Sequence, residues 1–418
     1  VTVEGRGKFG RIATAGVFFQ GAAAAVDTGT IVASLVHVLT GSAVAVGAAA
    51  AIARYGWLFP QLFVAYAAQR ARRRMPLYQI GAFGRVLCLA AVAVLLFAGA
   101  ALPAAAVAVG FFALWTLYAF VSGVVAVPYN DIVARAIAAT HRSRLLALRF
   151  FGGGVLALLV AALAHRLLDA WPFPDGYVFV LLVGAGLLLA SATAFVSAGE
   201  PEAPAPAHVA STLREFLRDG IGVARDDRRF RLFLYTRWLD GVAAMASPFY
   251  VVLAMDIGIA PSEVALLLAA QTAGALLSNP LWGWWGDRIG KRSLLEGVAG
   301  LGIGAPALAL AWPFLGGASA DLALAWFTAI FFVLGAVGNG GVIAQLGYLM
   351  EISPDDQRPA YSGYFNALVA PAALSPLFGA ALVELASLNV VFAASVAAAA
   401  CEFAAVRRLR RMPEGGRA

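Results

Sequence analysis

The chain has 418 residues, 61% of them hydrophobic and only 13% charged, with a formal charge of +7 and a mean hydropathy of +0.82. Soluble domains carry about 25% charged residues, so a water-soluble chain of this size would lack the polar surface to cover its core. An ordinary soluble enzyme is excluded, and a lipid solvent removes the difficulty.

A membrane-crossing helix needs about 20 mostly apolar residues. Read in chain order between charges, glycines and prolines, such runs predict twelve spans: 12–39, 43–69, 77–100, 104–130, 145–168, 175–198, 230–255, 262–285, 293–314, 321–350, 359–386 and 389–406. The fold class expected is all-α integral membrane, with an N-terminal six-helix bundle over 1–198, a cytoplasmic linker over 199–229 and a C-terminal six-helix bundle over 230–418. The first apolar run is too long for a signal h-region and carries Asp27 in its middle, so no cleavable signal is expected. Within the linker, a Pro-rich stretch precedes Leu213, Phe216, Leu217, Ile221 and Ala224 at helical spacing. That pattern predicts an amphipathic helix on the cytoplasmic interface that tethers the two halves.

Arginine and lysine set the orientation. With the N-terminus inside, the cytoplasmic segments hold 25 of the 30 basic residues and the opposite face holds Arg166 alone. Both termini are therefore expected in the cytoplasm of a multi-pass inner-membrane protein. The basic patches read as topology determinants, and nucleic acid is not expected as a partner.

Sliding the sequence on itself by 220 residues aligns Gly21 with Gly241, Pro60 with Pro280 and Asp131 with Glu351. Two parallel six-helix halves joined by a long loop form a known repeat architecture of secondary transporters, with the binding site near mid-membrane. Gly283-Trp284-Trp285-Gly286-Asp287-Arg288-Ile289-Gly290-Lys291-Arg292 resembles the G-x-x-x-D-R-x-G-[RK]-[RK] signature of the major facilitator superfamily. It falls between the second and third spans of the second half, where that family carries it. The first half departs from the signature, with Phe63 for the first Gly and Ala67 for the Asp. The fourth span lacks the arginine usual in drug antiporters of the family, and the fifth has Gly152-Gly153-Gly154 without a Gly-Pro pair.

Gly283 is expected to allow close helix approach and Gly290 a tight turn. Asp287 could accept N–H groups at a neighbouring helix start, while Arg288 and Arg292 could reach acids at other cytoplasmic helix ends, Glu351 foremost; Arg358, in the same segment, is counted with this cytoplasmic gate. The resemblance implies that such contacts hold the cytoplasmic side shut and break when it opens. Asp131 and Arg149 flank the turn near Thr140 at matching depth, as a gate or structural pair.

Charges within spans are expensive and each calls for a reason. Asp27 and Arg54 lie equidistant from the turn at Thr40–Ser42, about 20 Å from it, and are expected to pair. Arg237 and Asp240 are three apart on one face of the seventh span, and Asp240 aligns with Gln20 in the repeat register. The resemblance implies that the first and seventh helices line the central cavity, and that Arg85 on the peripheral third helix is structural. Gln271, Asn339 and Asn366, with Trp115, Tyr118, Gln345, Tyr348 and Tyr361, are scattered candidates for cavity wall or interhelical glue.

No H-E-x-x-H, Cys/His cluster, G-x-S-x-G or P-loop is present, so neither a membrane enzyme nor an ATP-driven pump is expected. Cys88 and Cys401 lie in apolar runs and make no disulfide framework or metal site, and no cofactor is implied. The function read from these residues is a monomeric secondary transporter of a small organic solute, anionic or zwitterionic, working by alternating access. A proton couples it through Asp27 or Asp240, with sodium the other coupling ion considered. The alternatives are proton-driven efflux of amphipathic hydrophobic compounds and a non-transporting, transporter-like assembly factor.

Overall fold

A computed structural model describes residues 3–70, 73–201, 213–315, 319–353 and 358–412. Helix is the only regular structure among them. That is what lipid dictates, since helices satisfy every backbone polar group within the segment. The helices are α1 (Val3–Ala25), α2 (Ile31–Thr40), α3 (Ala43–Arg70), α4 (Met75–Ala98), α5 (Ala104–Ala136), α6 (Ala139–Ala170) and α7 (Asp175–Ala198). They continue as α8 (Leu213–Asp226), α9 (Arg228–Ala243), α10 (Phe249–Asp256), α11 (Pro261–Arg288), α12 (Lys291–Gly302) and α13 (Gly304–Ala311). The last are α14 (Ala320–Ile352), α15 (Arg358–Val369), α16 (Ser375–Leu385) and α17 (Leu388–Arg410).

Eleven segments among the described residues are long and apolar enough to cross a membrane. Three are composites in which a short 3₁₀ turn or a kink joins two helices: Arg228–Asp256, Lys291–Leu315 and Tyr364–Leu385. The expected first span is not among the eleven, because it is broken between α1 and α2. Asp27 sits at the break, where its Oδ1 accepts from the Gly29 N–H at 3.0 Å and the Thr30 hydroxyl at 2.8 Å. Its backbone carbonyl accepts from the Val32 N–H at 2.9 Å. A short acid that offers the backbone this local alternative interrupts a helix.

The chain forms two compact units, Val1–Ala210 with Ala260–Ala269, and Ser211–Ile259 with Ala270–Ala418. In the first, α1 packs on α6 and α7, and α4 packs on α5 and α7. In the second, α9 packs on α17, and α12 packs on α14 and α17. These neighbour relations match under the 220-residue register, and Pro60 and Pro280 lie inside the equivalent helices α3 and α11.

The amphipathic helix of the linker is present as α8, but it packs on α9 and α15. Val223 and Ala224 join the core cluster of Phe230, Phe233 and Phe365, while Ile221 remains exposed. Asp227 then caps α9, accepting from the N–H groups of Arg229 at 2.8 Å and Phe230 at 3.0 Å. Val223 and Ala224 are thus covered by protein, and the side chains of Leu213, Phe216 and Leu217, like the Pro-rich stretch from residue 202 to 212, lie outside the described residues.

Candidate functional site

Three groups of charges stand out, each within one unit. The first lies in the second unit and is centred on Arg237 of α9. Its guanidinium is buried and bridges two carboxylates: Asp240, one turn along at 3.3 Å, and Glu402 of α17, through a short, direct hydrogen bond. The Glu402 side chain is 6% exposed and that of Asp240 is 42% exposed. One acid is therefore sealed in the bundle and the other open on the same guanidinium. With all three ionised the cluster carries one net negative charge, and a single proton makes it neutral. Glu402 is absent from the sequence expectation although it stands inside the predicted span 389–406. The rule that singled out Asp27, a charge within an apolar run, applies to it equally.

The second group lies at helix ends and repeats. In the first unit, Asp131 near the end of α5 bonds Arg74, just ahead of α4, and Arg135, both at 2.7 Å. In the second unit, Glu351 near the end of α14 bonds Arg292 at the start of α12, at 3.3 Å. Asp131 and Glu351 are register mates, so each half joins the same two helix ends by an acid and an arginine. The first unit adds Glu200, whose carboxylate accepts from Arg135 at 2.7 Å and from the N–H groups of Arg74 and Met75 at 2.9–3.0 Å. Burial alone would raise this carboxyl, but the Arg135 bond and the two N–H bonds at the α4 N-terminus outweigh it. Glu200 is held below the usual glutamate range.

Several expectations for this region are corrected. Asp131 does not pair with Arg149, because Arg74 and Arg135 already engage it. Asp287 is 78% exposed and bonds Lys291 at 2.8 Å across the turn, not the start of a neighbouring helix. Arg288 is exposed and makes no ion pair among the described residues. Gly283 has no neighbour within reach of an added Cβ, so it marks no close helix approach. Gly290 does turn the chain as expected, with φ at 111°. The Arg358 side chain lies outside the described residues.

The third group is in the first unit and surrounds a cavity of about 150 Å³. Arg85 of α4 and Arg149 of α6 both line it. Their guanidinium carbons stand 5.0 and 5.5 Å from the centre of one ring, that of Phe19 on α1. Arg149 also lies over the Tyr129 ring at 5.2 Å and donates to its hydroxyl at 3.3 Å. Gly16 makes this possible, since a Cβ there would come within 2.8 Å of the Arg149 side chain. Arg85 is 3% exposed, and its buried Nε, like that of Arg149, has no hydrogen-bond partner.

The remaining sequence candidates separate. Asp27 and Arg54 do not pair: Asp27 is engaged at the helix break and Arg54 is exposed. Gln20 is half-buried, packed where a Cβ on Gly153 would fall. Asn339 joins α14 to α11 through the Ala275 carbonyl at 3.2 Å and a short bond to Asn279. Gln271 is half-buried on α11, and Asn366 is exposed on α15. Trp115, which donates to the Ala49 carbonyl at 2.9 Å, and Tyr348, packed on Phe233, are core residues and line no cavity described above.

Residues 239–418 match the family model of the Major Facilitator Superfamily. By structure the chain is similar to the nucleoside transporter NupG, with a TM-score of 0.70 at 13% identity over 97% of this chain and 100% of that one. It is likewise similar to a POT family transporter in complex with 5-aminolevulinic acid, at 0.73 and 10% over 96% and 95%. The xylose transporter XylE from E. coli matches at 0.64 and 14% over 96% and 98%. The family match covers less than half of the chain, and the solved structures show that the chain as a whole shares the fold of these transporters. Uncharacterised proteins of Mycobacterium tuberculosis and Mycobacterium bovis are 25% identical over 240 residues, which cover 57% of this chain and about half, 46%, of theirs.

Proposed function

We propose that the protein is a secondary active transporter that moves a small organic solute by alternating access, with proton binding at the Arg237–Asp240–Glu402 cluster as the coupling step. The observation that carries this reading is the cluster itself: one buried guanidinium shared by a sealed and an open carboxylate. A charged group inside a membrane bundle is costly unless paired, and a cluster with one negative charge in excess is relieved by taking up a proton. The open Asp240 is the entry, and Glu402 competes with it for the same arginine. Loss of a proton strengthens both bonds to Arg237, while gain of one frees a carboxyl from it, so protonation is tied to how α9 and α17 are held together.

Small organic cargo agrees with the structural neighbours, among them a nucleoside transporter, a xylose transporter and a POT family transporter in complex with 5-aminolevulinic acid. In the full reading, α1 and α2 together form a twelfth span, broken at Asp27. The arginine-rich inner loops keep both termini in the cytoplasm of a cell whose inner membrane holds the protein.

The test is flux in proteoliposomes. Asp240→Asn and Glu402→Gln should each abolish accumulation driven by a pH gradient and leave solute exchange largely intact. If both variants accumulate solute at the parental rate, the cluster does not couple and the proton reading fails.

A further inference from the structure

From the cavity of the first unit we infer a binding site for a small, planar organic anion, its negative group held by Arg85 and Arg149 and its apolar body by the aromatic wall. No carboxylate lines this cavity, and neither arginine forms an ion pair among the described residues. Two guanidinium groups thus share one aromatic ring with no counter-charge in contact. Stacking on Phe19 and Tyr129 offsets part of the cost, since each cation–π contact contributes about 0.5–2 kcal/mol. It leaves the positive charge itself unneutralised, and an arriving anion supplies what is missing.

The donors are placed for that role. Arg85 is nearly sealed from the surface, with an Nε that bonds to nothing in the protein. Arg149 has a second buried Nε without a partner, and its stem packs against α1 where residue 16 is glycine. An arginine presents its N–H groups as a planar fork suited to a carboxylate. Ser122 and Asn130 add neutral polar groups to the lining. Around them Phe19, Trp57, Tyr78 and Tyr129 form the apolar wall.

Size narrows the class. A cavity of about 150 Å³ accommodates a body the size of benzene. The ligand is therefore a flat anion of about benzoate dimensions, with its ring in the cavity. Binding here does not depend on the coupling proposed for the second unit. Only the assignment of the ligand as cargo rests on the transport reading.

The experiment is isothermal titration of the purified full-length chain in detergent with benzoate. Benzyl alcohol serves as the neutral counterpart and inorganic phosphate as an anion without an apolar body. Benzoate should bind, and benzyl alcohol and phosphate should bind at least tenfold more weakly. Arg149→Gln should weaken benzoate at least tenfold, Arg85→Lys should weaken it while keeping the charge, and Glu402→Gln should leave it unchanged. Circular dichroism on each variant separates lost binding from lost folding, and Arg149→Gln alone suffices if Arg85→Lys does not fold. No heat with benzoate, equal binding of benzyl alcohol, equal binding of phosphate, or parental affinity in folded Arg149→Gln would each overturn the site. Benzoate binding in a chain that shows no flux would uphold the site and sink the transport reading. Flux without benzoate binding would do the reverse.

Discussion

The two halves of this chain treat buried arginines in opposite ways. In the second, Arg237 is bonded to both Glu402 and Asp240, so its charge is more than cancelled. In the first, Arg85 and Arg149 rest on aromatic rings with no acid in contact. At one set of helix ends the halves instead agree, joining Asp131 to Arg74 and Glu351 to Arg292 in register. The repeated contacts join the same two helix ends in each unit, and the charges that differ set the units apart. A repeated fold thereby separates what both units share from what is peculiar to one copy.

The sharpest way to break that comparison is to replace one arginine in each half. Arg237→Met strands the sealed Glu402 carboxylate and should cost about 3 kcal/mol, read as a large fall in melting temperature in detergent. Arg149→Met removes a charge that no acid opposes, and should cost no more than about 1–2 kcal/mol of lost ring contacts. Similar losses for the two would erase the distinction between paired and unpaired arginines.

A second difference is Glu200, which ties the start of α4 to Arg135 in the first unit and for which the second unit has no described equivalent. Glu200→Gln should cost about 2 kcal/mol, the scale of hydrogen bonds to a charged acceptor. Because Glu200 is held below the ordinary glutamate value of 4.5, its contribution is complete above that pH and is lost as the pH falls through its lower folded value. Acid denaturation of the parent should therefore begin later with pH than the loss of an unperturbed glutamate would predict, and Glu200→Gln should flatten that limb. An unchanged acid limb would remove Glu200 from the account.

Smaller effects belong to the repeated pairs. Glu351→Gln breaks a partly exposed bond and should cost at most about 1 kcal/mol, whereas Asp131→Asn, which loses two arginine partners, should cost more. A reversed order in chemical melts would mean that the register mates are not equivalent in use. Asp287→Asn should leave the melting temperature unchanged, since that carboxylate is exposed and meets only Lys291 within its own turn. Any effect of it on transport would then report on a contact made in another access state.

Much of the architecture was legible because hydrophobic length and arginine position act locally along the chain. Eleven of the twelve expected spans, the repeat register and the Gly290 turn needed no knowledge of which helix touches which. Arg237 and Asp240 were readable for the same reason, being one turn apart on one helix. Equal depth was a weaker guide. It paired Asp27 with Arg54 and Asp131 with Arg149, but a shared level in a bundle does not specify the rotation of each helix about its axis. Asp27 found its partners within three residues, at a helix break that hydropathy does not register, and Asp131 found Arg74 and Arg135.

What the sequence alone determined is that this chain lies in lipid, as two related helical halves with an asymmetric signature. Those properties follow from composition, periodicity and spacing. Only the tertiary structure decided which charges meet. It brought Glu402 to Arg237 across 165 residues and turned Arg85 and Arg149 onto the ring of Phe19. Such convergence depends on the packing angles and rotations of several helices at once, and no single stretch of sequence encodes them.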